Sequence, residues 1–299
     1  CAGCLGAHTM FHSLKEERTM EAQTVFRVWR RILRSPDLQR KMFDVDANLM
    51  SEFKLSPNEL EVVHAYASNE NAVRISVTNY RYRLVSSFEN ALETAASLTY
   101  RALRNSGADL RSMAVPFLDS IKWHDYGPYV YTYCARILDW LAEQKETEKP
   151  NGLRDLIEIE RVAGSLVRIA AAQTPNISPA NPMNFDDKSI IWEASSNAEI
   201  VSTRHDLSGW LRSPELLGRE NSPLADCTYL ISLKDPSRNP QISSLMPLSA
   251  ALMAEIKRDT SSLRSLLARL AHRGINVTVP DAAYVLGELV SRGVVQRSV

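Results

Sequence analysis

From about Met20 to Ala172 the apolar residues of this chain recur every three or four positions almost without pause, and beyond Gln173 that rhythm stops. A 3.6-residue period lets one face of a helix be buried, so the first part of the chain is committed to packed helices. Val25, Val28, Trp29 and Ile32 make one stripe at i, i+3, i+4 and i+7. "SPDL" then starts a second helix, with Ser35 as N-cap and Pro36 at the first helical position. "SPNE" repeats the device, Ser56 and Glu59 forming a capping box around Pro57. His64, alone on the helix that follows, reads as structural. A long helix is expected from about Asn71 to Asn105, stopped by the glycine of "NSG". After it come a short helix near Asp109 to Ile121 and one with the stripe Val130, Cys134, Ile137, Leu138 and Leu141. "EQKETEKPNG" reads as a solvated connection to a last helix, "LRDLIEIERVAGSLVRIAAA".

After Gln173 the stretch "TPNISPANPMNFDD" is rich in Pro and Asn and reads as a linker. "KSIIWEA" and "AEIVSTR" look like short strands, and "TYLISLKD" alternates with Tyr229, Ile231 and Leu233 on one face. Three helical stretches follow, the last carrying Ala282, Val285, Leu286 and Leu289, and "GVVQRS" suggests a closing strand. The expected architecture is therefore mainly α: a flexible tail over 1–19, a helical bundle over 20–173, a linker over 174–185, and a winged-helix-like α+β domain over 186–299.

The opening "CAGCLGAHTMFH" places Cys1, Cys4, His8 and His12 close together, but only three residues separate Cys4 from His8. A zinc finger leaves about a dozen residues between its two pairs, so this segment is expected to be a loose tail. The chain carries 35 Lys plus Arg against 35 Asp plus Glu. A zero net charge argues against a protein that grips long nucleic acid. No apolar stretch approaches the ~20 residues that cross a bilayer, and Cys134 and Cys227 do not suggest a disulfide framework. A cytoplasmic protein without membrane contact is expected.

No phosphate-cradling glycine loop, H-E-x-x-H or G-x-S-x-G occurs. "KWHDYGPY" is the densest polar and aromatic cluster; its Trp123, His124, Asp125, Tyr126 and Tyr129 suit a protein contact surface. His124 beside Asp125 also suggests acid–base work, but neighbours in sequence do not face each other on a helix. Glu160 lies on the stripe of Leu153, Leu156, Ile157 and Val167, so it is expected to be buried and to need a cation, such as Arg81 or Arg83, or several hydrogen bonds. For a DNA-reading winged helix, the last helix is poorly equipped, with Asp281 and Glu288 and only Arg292 at its end. The helix before it, with Arg264, Arg269, His272 and Arg273, is more basic and keeps a transcription regulator in view.

"RISVTNYRYRLVSSFENAL", with Arg74, Tyr80, Arg81, Arg83 and Leu84, and "LRDLIEIERVAG", with Glu160 and Arg161, resemble two helix motifs of a known family. "DCTYLISLKDPSRNPQISSLMPLSAALMAEI" is similar to that family's C-terminal peptide-recognition module. The family comprises partner proteins of multinuclear non-haem iron oxidases in ribosomal peptide natural-product biosynthesis, of the methanobactin and 3-thiaglutamate type. The resemblance implies a non-catalytic subunit, with no cofactor of its own, that forms a heterodimer with a TIM-barrel oxidase holding the iron. It implies too that the chain takes up the leader of a precursor peptide and presents a cysteine for oxidation. An edge strand through Tyr229, Ile231 and Leu233, walled by Val285 and Leu289, is the expected leader site; the competing expectation is that these residues are simply core.

Overall fold

The computed structural model describes residues 22–44, 48–124, 130–172, 190–235 and 239–298. The expected tail and linker, and Asp125, Tyr126 and Tyr129, lie outside the described residues. The chain is mainly α, and among the described residues the antiparallel strands lie in its C-terminal part. It divides into two compact units: the chain up to Ser87 together with Arg111–Asp125, and Phe88–Leu110 together with Tyr126–Val299, so far as these are described.

The first unit is helical. Helix α1 covers 22–34, followed by α2 (Pro36–Lys41), α3 (Leu49–Glu52), α4 (Pro57–Ala67), the first part of α5 (Glu70–Ala95) and most of α7 (Leu110–Ser120). The caps are those the sequence announces. Ser35 Oγ accepts the N–H of Leu38 at 3.2 Å, and Ser56 and Glu59 close a reciprocal capping box. The stripes meet in a core of Val28, Ile32, Leu38, Val63 and Val77, with Trp29 stacked on Tyr66 at 4.6 Å between centroids.

The second unit holds the end of α5, α6 (Ser97–Asn105), α8 (Val130–Glu143), α9 (Leu153–Ala172) and everything described after them. Where one helix is expected through Asn105, the chain breaks at Ala96, whose φ of −144° and ψ of 57° leave the helical region. The connection before α9 is not wholly solvated either: Thr147 is buried and its hydroxyl donates to the carbonyls of Leu141 and Gln144.

Among the described residues, six strands follow in two three-stranded sheets. Strands β1 (Ile191–Ala194), β5 (Ser261–Ser262) and β6 (Val295–Arg297) form one, in the order β5-β1-β6. Strands β2 (Ala198–His205), β3 (Leu224–Ser232) and β4 (Gln241–Ser244) form the other, with β3 in the middle and the short helix α10 (Ser208–Arg212) between β2 and β3. Helices α11 (Pro247–Arg258), α12 (Leu263–His272) and α13 (Val279–Ser291) pack with the first sheet around Trp192, Leu252, Ile256, Leu266 and Leu286. Three helices on a small antiparallel sheet give the winged-helix-like form expected from the sequence. The second sheet is bolted to α9: Asp155 Oδ2 accepts the backbone N–H groups of Arg204 and His205, at 3.1 and 3.0 Å, and lies 2.7 Å from His205 Nδ1.

Asn105, at the end of α6, donates its side-chain N–H to the Leu217 carbonyl at 2.7 Å, drawing the 217–219 turn against that helix. Gly218 sits there at φ +74°, and a Cβ on it would collide with the Ala102 carbonyl. Gly274 has a similar φ, +78°, but open space around it. Thermal melts should separate the two requirements. Gly274→Ala should cost about 1 kcal/mol for the left-handed backbone alone, while Gly218→Ala should cost well over twice that, because backbone must also move. Equal losses would mean that the close approach at Ala102 is not a constraint.

Candidate functional site

The residues expected to hold a leader peptide are interior. Tyr229 and Ile231 have no exposed surface, and Leu233, Val285 and Leu289 are also buried. The backbone of β3 is occupied as well: it is the central strand, paired with β2 from Leu224 to Ser232 and with β4 from Tyr229 to Ser232. It has no open edge along that stretch, so the expectation of strand addition to β3 is corrected. Tyr229 has a structural task. Its phenolic oxygen accepts the N–H of Leu207 at 2.7 Å and donates to Asp206 Oδ1 at 3.1 Å, and burial pushes its ionisation up to about 12. Val285 and Leu289 pack into the core shared by α11, α12 and α13.

Trp123 is likewise buried rather than offered to a partner. Its indole N–H donates to Asp119 Oδ1 at 2.8 Å, Tyr80 donates its hydroxyl to the Trp123 carbonyl at 2.9 Å, and the Arg81 guanidinium lies 4.8 Å from the ring centroid. Two motif residues of α5, Tyr80 and Arg81, thus hold one tryptophan. Arg81 also donates to Gln39 and is not the partner of Glu160. Helix α7 ends here in a Schellman motif, the N–H of Trp123 reaching the Leu118 carbonyl at 2.8 Å and that of Lys122 the Asp119 carbonyl at 3.0 Å. Glycine is the usual residue at the left-handed position, yet Lys122 and Trp123 occupy it at φ +51° and +52°. Such backbone costs on the order of 1 kcal/mol or more per residue. His124 is exposed beside them.

Glu160 is buried, as expected, but its partners are backbone amides. Its Oε1 accepts the N–H of Leu98 at 2.9 Å and its Oε2 that of Thr99 at 2.7 Å. These are first-turn amides of α6, whose N-cap, Ala96, has no side-chain oxygen to offer them. A carboxylate from α9 therefore caps a helix more than sixty residues earlier in the chain. Burial pushes the Glu160 carboxyl up to about 7, while the nearby Thr99 hydroxyl and the two amides pull the other way. Cys134 lies close enough to feel that charge, and burial drives its thiol up to about 12, so it is no ready nucleophile.

Glu160 forms part of the wall of a cleft of about 220 Å³. Thr94, Leu98 and Tyr131 line it from α5, α6 and α8, Gly164 from α9, and Pro240 and Ile242 from β4 and the residue before it. Strand β4 pairs with β3 and, among the described residues, with no other strand. Pro240 and Ile242, two positions apart, share one face of an extended chain. Sequence reasoning missed this place because "QISS" is too short and polar to announce a strand, and because nothing in "TAASLTY" announces the helix break.

Of the basic residues on and beside α12, Arg264 and His272 are exposed, and the other two are engaged. Arg269 and Arg273 both pair with Glu255, which has no exposed surface, at 2.8 and 2.9 Å. Among the described residues, no three of His, Cys, Asp and Glu stand together as metal ligands, and no helix is long and apolar enough to cross a membrane. No family model matches the chain, and no curated protein matches it significantly.

The Glu160 cap makes stability depend on pH. The unfolded carboxyl loses its proton near 4.5 and the folded one only near 7, so stability falls as pH rises through that window. The fall should be on the order of 3 kcal/mol. Glu160→Gln, which keeps one acceptor, should abolish the slope, and Glu160→Ala should lose about 2 kcal/mol or more at acidic pH by leaving both amides unmet. Denaturant unfolding across pH 4 to 8 reads both, and an unchanged slope in Glu160→Gln would assign the titration elsewhere.

Proposed function

We propose that this chain is a non-catalytic partner subunit that binds the leader of a ribosomally made precursor peptide and presents a cysteine of it to a multinuclear iron oxidase in the cytoplasm. The iron belongs to the oxidase, a TIM-barrel protein with which the chain pairs as a heterodimer. The observation that carries the reading is the cleft beside β4. An extended peptide laid along β4 would complete backbone hydrogen bonds there and drop alternate side chains onto the face shared by Pro240 and Ile242, into the cleft. The resemblance of the motifs through Arg74–Leu84 and Glu160–Arg161 supports the same assignment. A winged-helix transcription regulator is the weaker reading, because two of the four basic residues on and beside α12, Arg269 and Arg273, are paired with Glu255.

Gly164 supplies the test, since a Cβ on it meets nothing within 4 Å. With the 299-residue chain and a fluorescent peptide covering the leader of a cysteine-containing short reading frame found beside its gene, binding should saturate. Gly164→Phe should fill the cleft and weaken that binding at least about tenfold, a change of about 1.4 kcal/mol. Gly164→Ala should bind as wild type and melt higher, by about 0.5 to 1 kcal/mol, as expected for alanine within a helix. Leader binding indifferent to Gly164→Phe, or DNA retention that fades with salt in place of peptide binding, would contradict the proposal.

A further inference from the structure

We propose a second, chemically distinct site on the first unit: a cationic cleft that takes the carboxylates of an acidic peptide segment. Its volume is about 450 Å³, and Arg27, Arg30, Arg31 and Arg34 of α1 line it together with Lys122 and His124. None of the described residues that line it is acidic. Guanidinium groups form paired hydrogen bonds with planar carboxylates, and several at helical spacing suit a chain bearing more than one.

The site is held in place. Arg31 donates to the Phe53 carbonyl, Arg27 pairs with Glu59 at 3.1 Å, and Arg34 donates to Tyr80 at 3.4 Å, so the α1 stems are braced against α4, α5 and the turn after α3. The opposite wall depends on the left-handed backbone at Lys122 and Trp123. Glycine would relieve that backbone at position 122, yet the chain keeps a lysine there, lining the cleft.

Two observations favour an acidic peptide over a polyanion. The chain as a whole has no net charge, so it lacks the long-range field that concentrates nucleic acid. Phe26, 60% exposed, also lines the cleft, with the Arg30 guanidinium 5.3 Å from its ring centroid, so apolar surface is interleaved with charge. A segment with an apolar residue among glutamates or aspartates matches both. This inference does not rest on the β4 reading; it concerns other residues, another probe and other variants.

The test uses the full chain and a fluorescein-labelled glutamate-rich peptide with a central leucine, beside its glutamine counterpart, inorganic phosphate and a single-stranded oligonucleotide. The acidic peptide should bind saturably, weaken as salt is raised, and exceed the glutamine peptide by about tenfold. Lys122→Gly should melt no lower than wild type while weakening the acidic peptide several-fold, and adding Arg27→Gln should weaken it further. The melt separates the lysine's charge from any structural role. Equal binding of the two peptides, wild-type affinity in Lys122→Gly with Arg27→Gln, displacement by submillimolar phosphate, or tighter binding of the oligonucleotide would each overturn the proposal.

Discussion

The carboxylate of Glu160, holding the N–H groups of Leu98 and Thr99, is the contact on which the second unit's arrangement turns. A helix start leaves up to four amides without intrahelical partners, and Ala96 cannot serve them. A carboxylate of α9 does so instead, and this allows the chain to leave the helical path at Ala96 and begin α6 in a new direction. The break places Thr94, Ser97 and Leu98 on the wall of the cleft that Glu160 also lines. One buried acid thus caps a helix, positions α9 against α6 and closes one side of a candidate peptide site. Its cost is desolvation, which is why its ionisation is pushed up toward neutrality.

Glu255 is a second buried carboxylate, and it is satisfied differently. Arg269 of α12 and Arg273, the residue that caps its C-terminus, both pair with it and tie α12 to α11. Removing either type of partner leaves a charge or an amide uncompensated, so both sites are costly to break even where their net contribution is small. Arg269 and Arg273 thereby serve an internal acid, whereas Arg27, Arg30, Arg31 and Arg34 of α1 line a cleft. The two halves of the chain use the same residue type for opposite ends: in one to neutralise an internal acid, in the other to line a surface.

Much of this was legible from short-range signals. Pro36 behind Ser35, the Ser56–Glu59 box and the stripe of Val130, Cys134, Ile137 and Leu141 are local patterns with local causes, and each helix forms where its pattern says. The strands near Ile191 and Ala198 form where short strands are expected, and the one expected from Thr228 begins four residues earlier, at Leu224. What escaped was decided at long range. The break at Ala96 depends on a glutamate 64 positions later, and alanine followed by serine carries no breaker signal. That β3 has no open edge at Tyr229 and Ile231 depends on β4, four residues whose sequence announces nothing. Trp123 looked like a contact residue because tryptophan is common at interfaces, but Tyr80, Arg81 and Asp119 satisfy it internally. The arginines of α1 belong to no motif, and the left-handed turn at Lys122 reveals what faces them.

The central claim is that a peptide lies along β4 with the Glu160 cap at its side. Amide hydrogen exchange of the 299-residue chain, with and without a candidate cysteine-containing precursor peptide, addresses it directly. The account predicts slowed exchange in residues 241–244 and around the α5–α6 break at 94–99, because a new strand would pair with β4 and cover the cleft. Protection confined to α12 and α13, with β4 and the break exchanging as in the free protein, would contradict it.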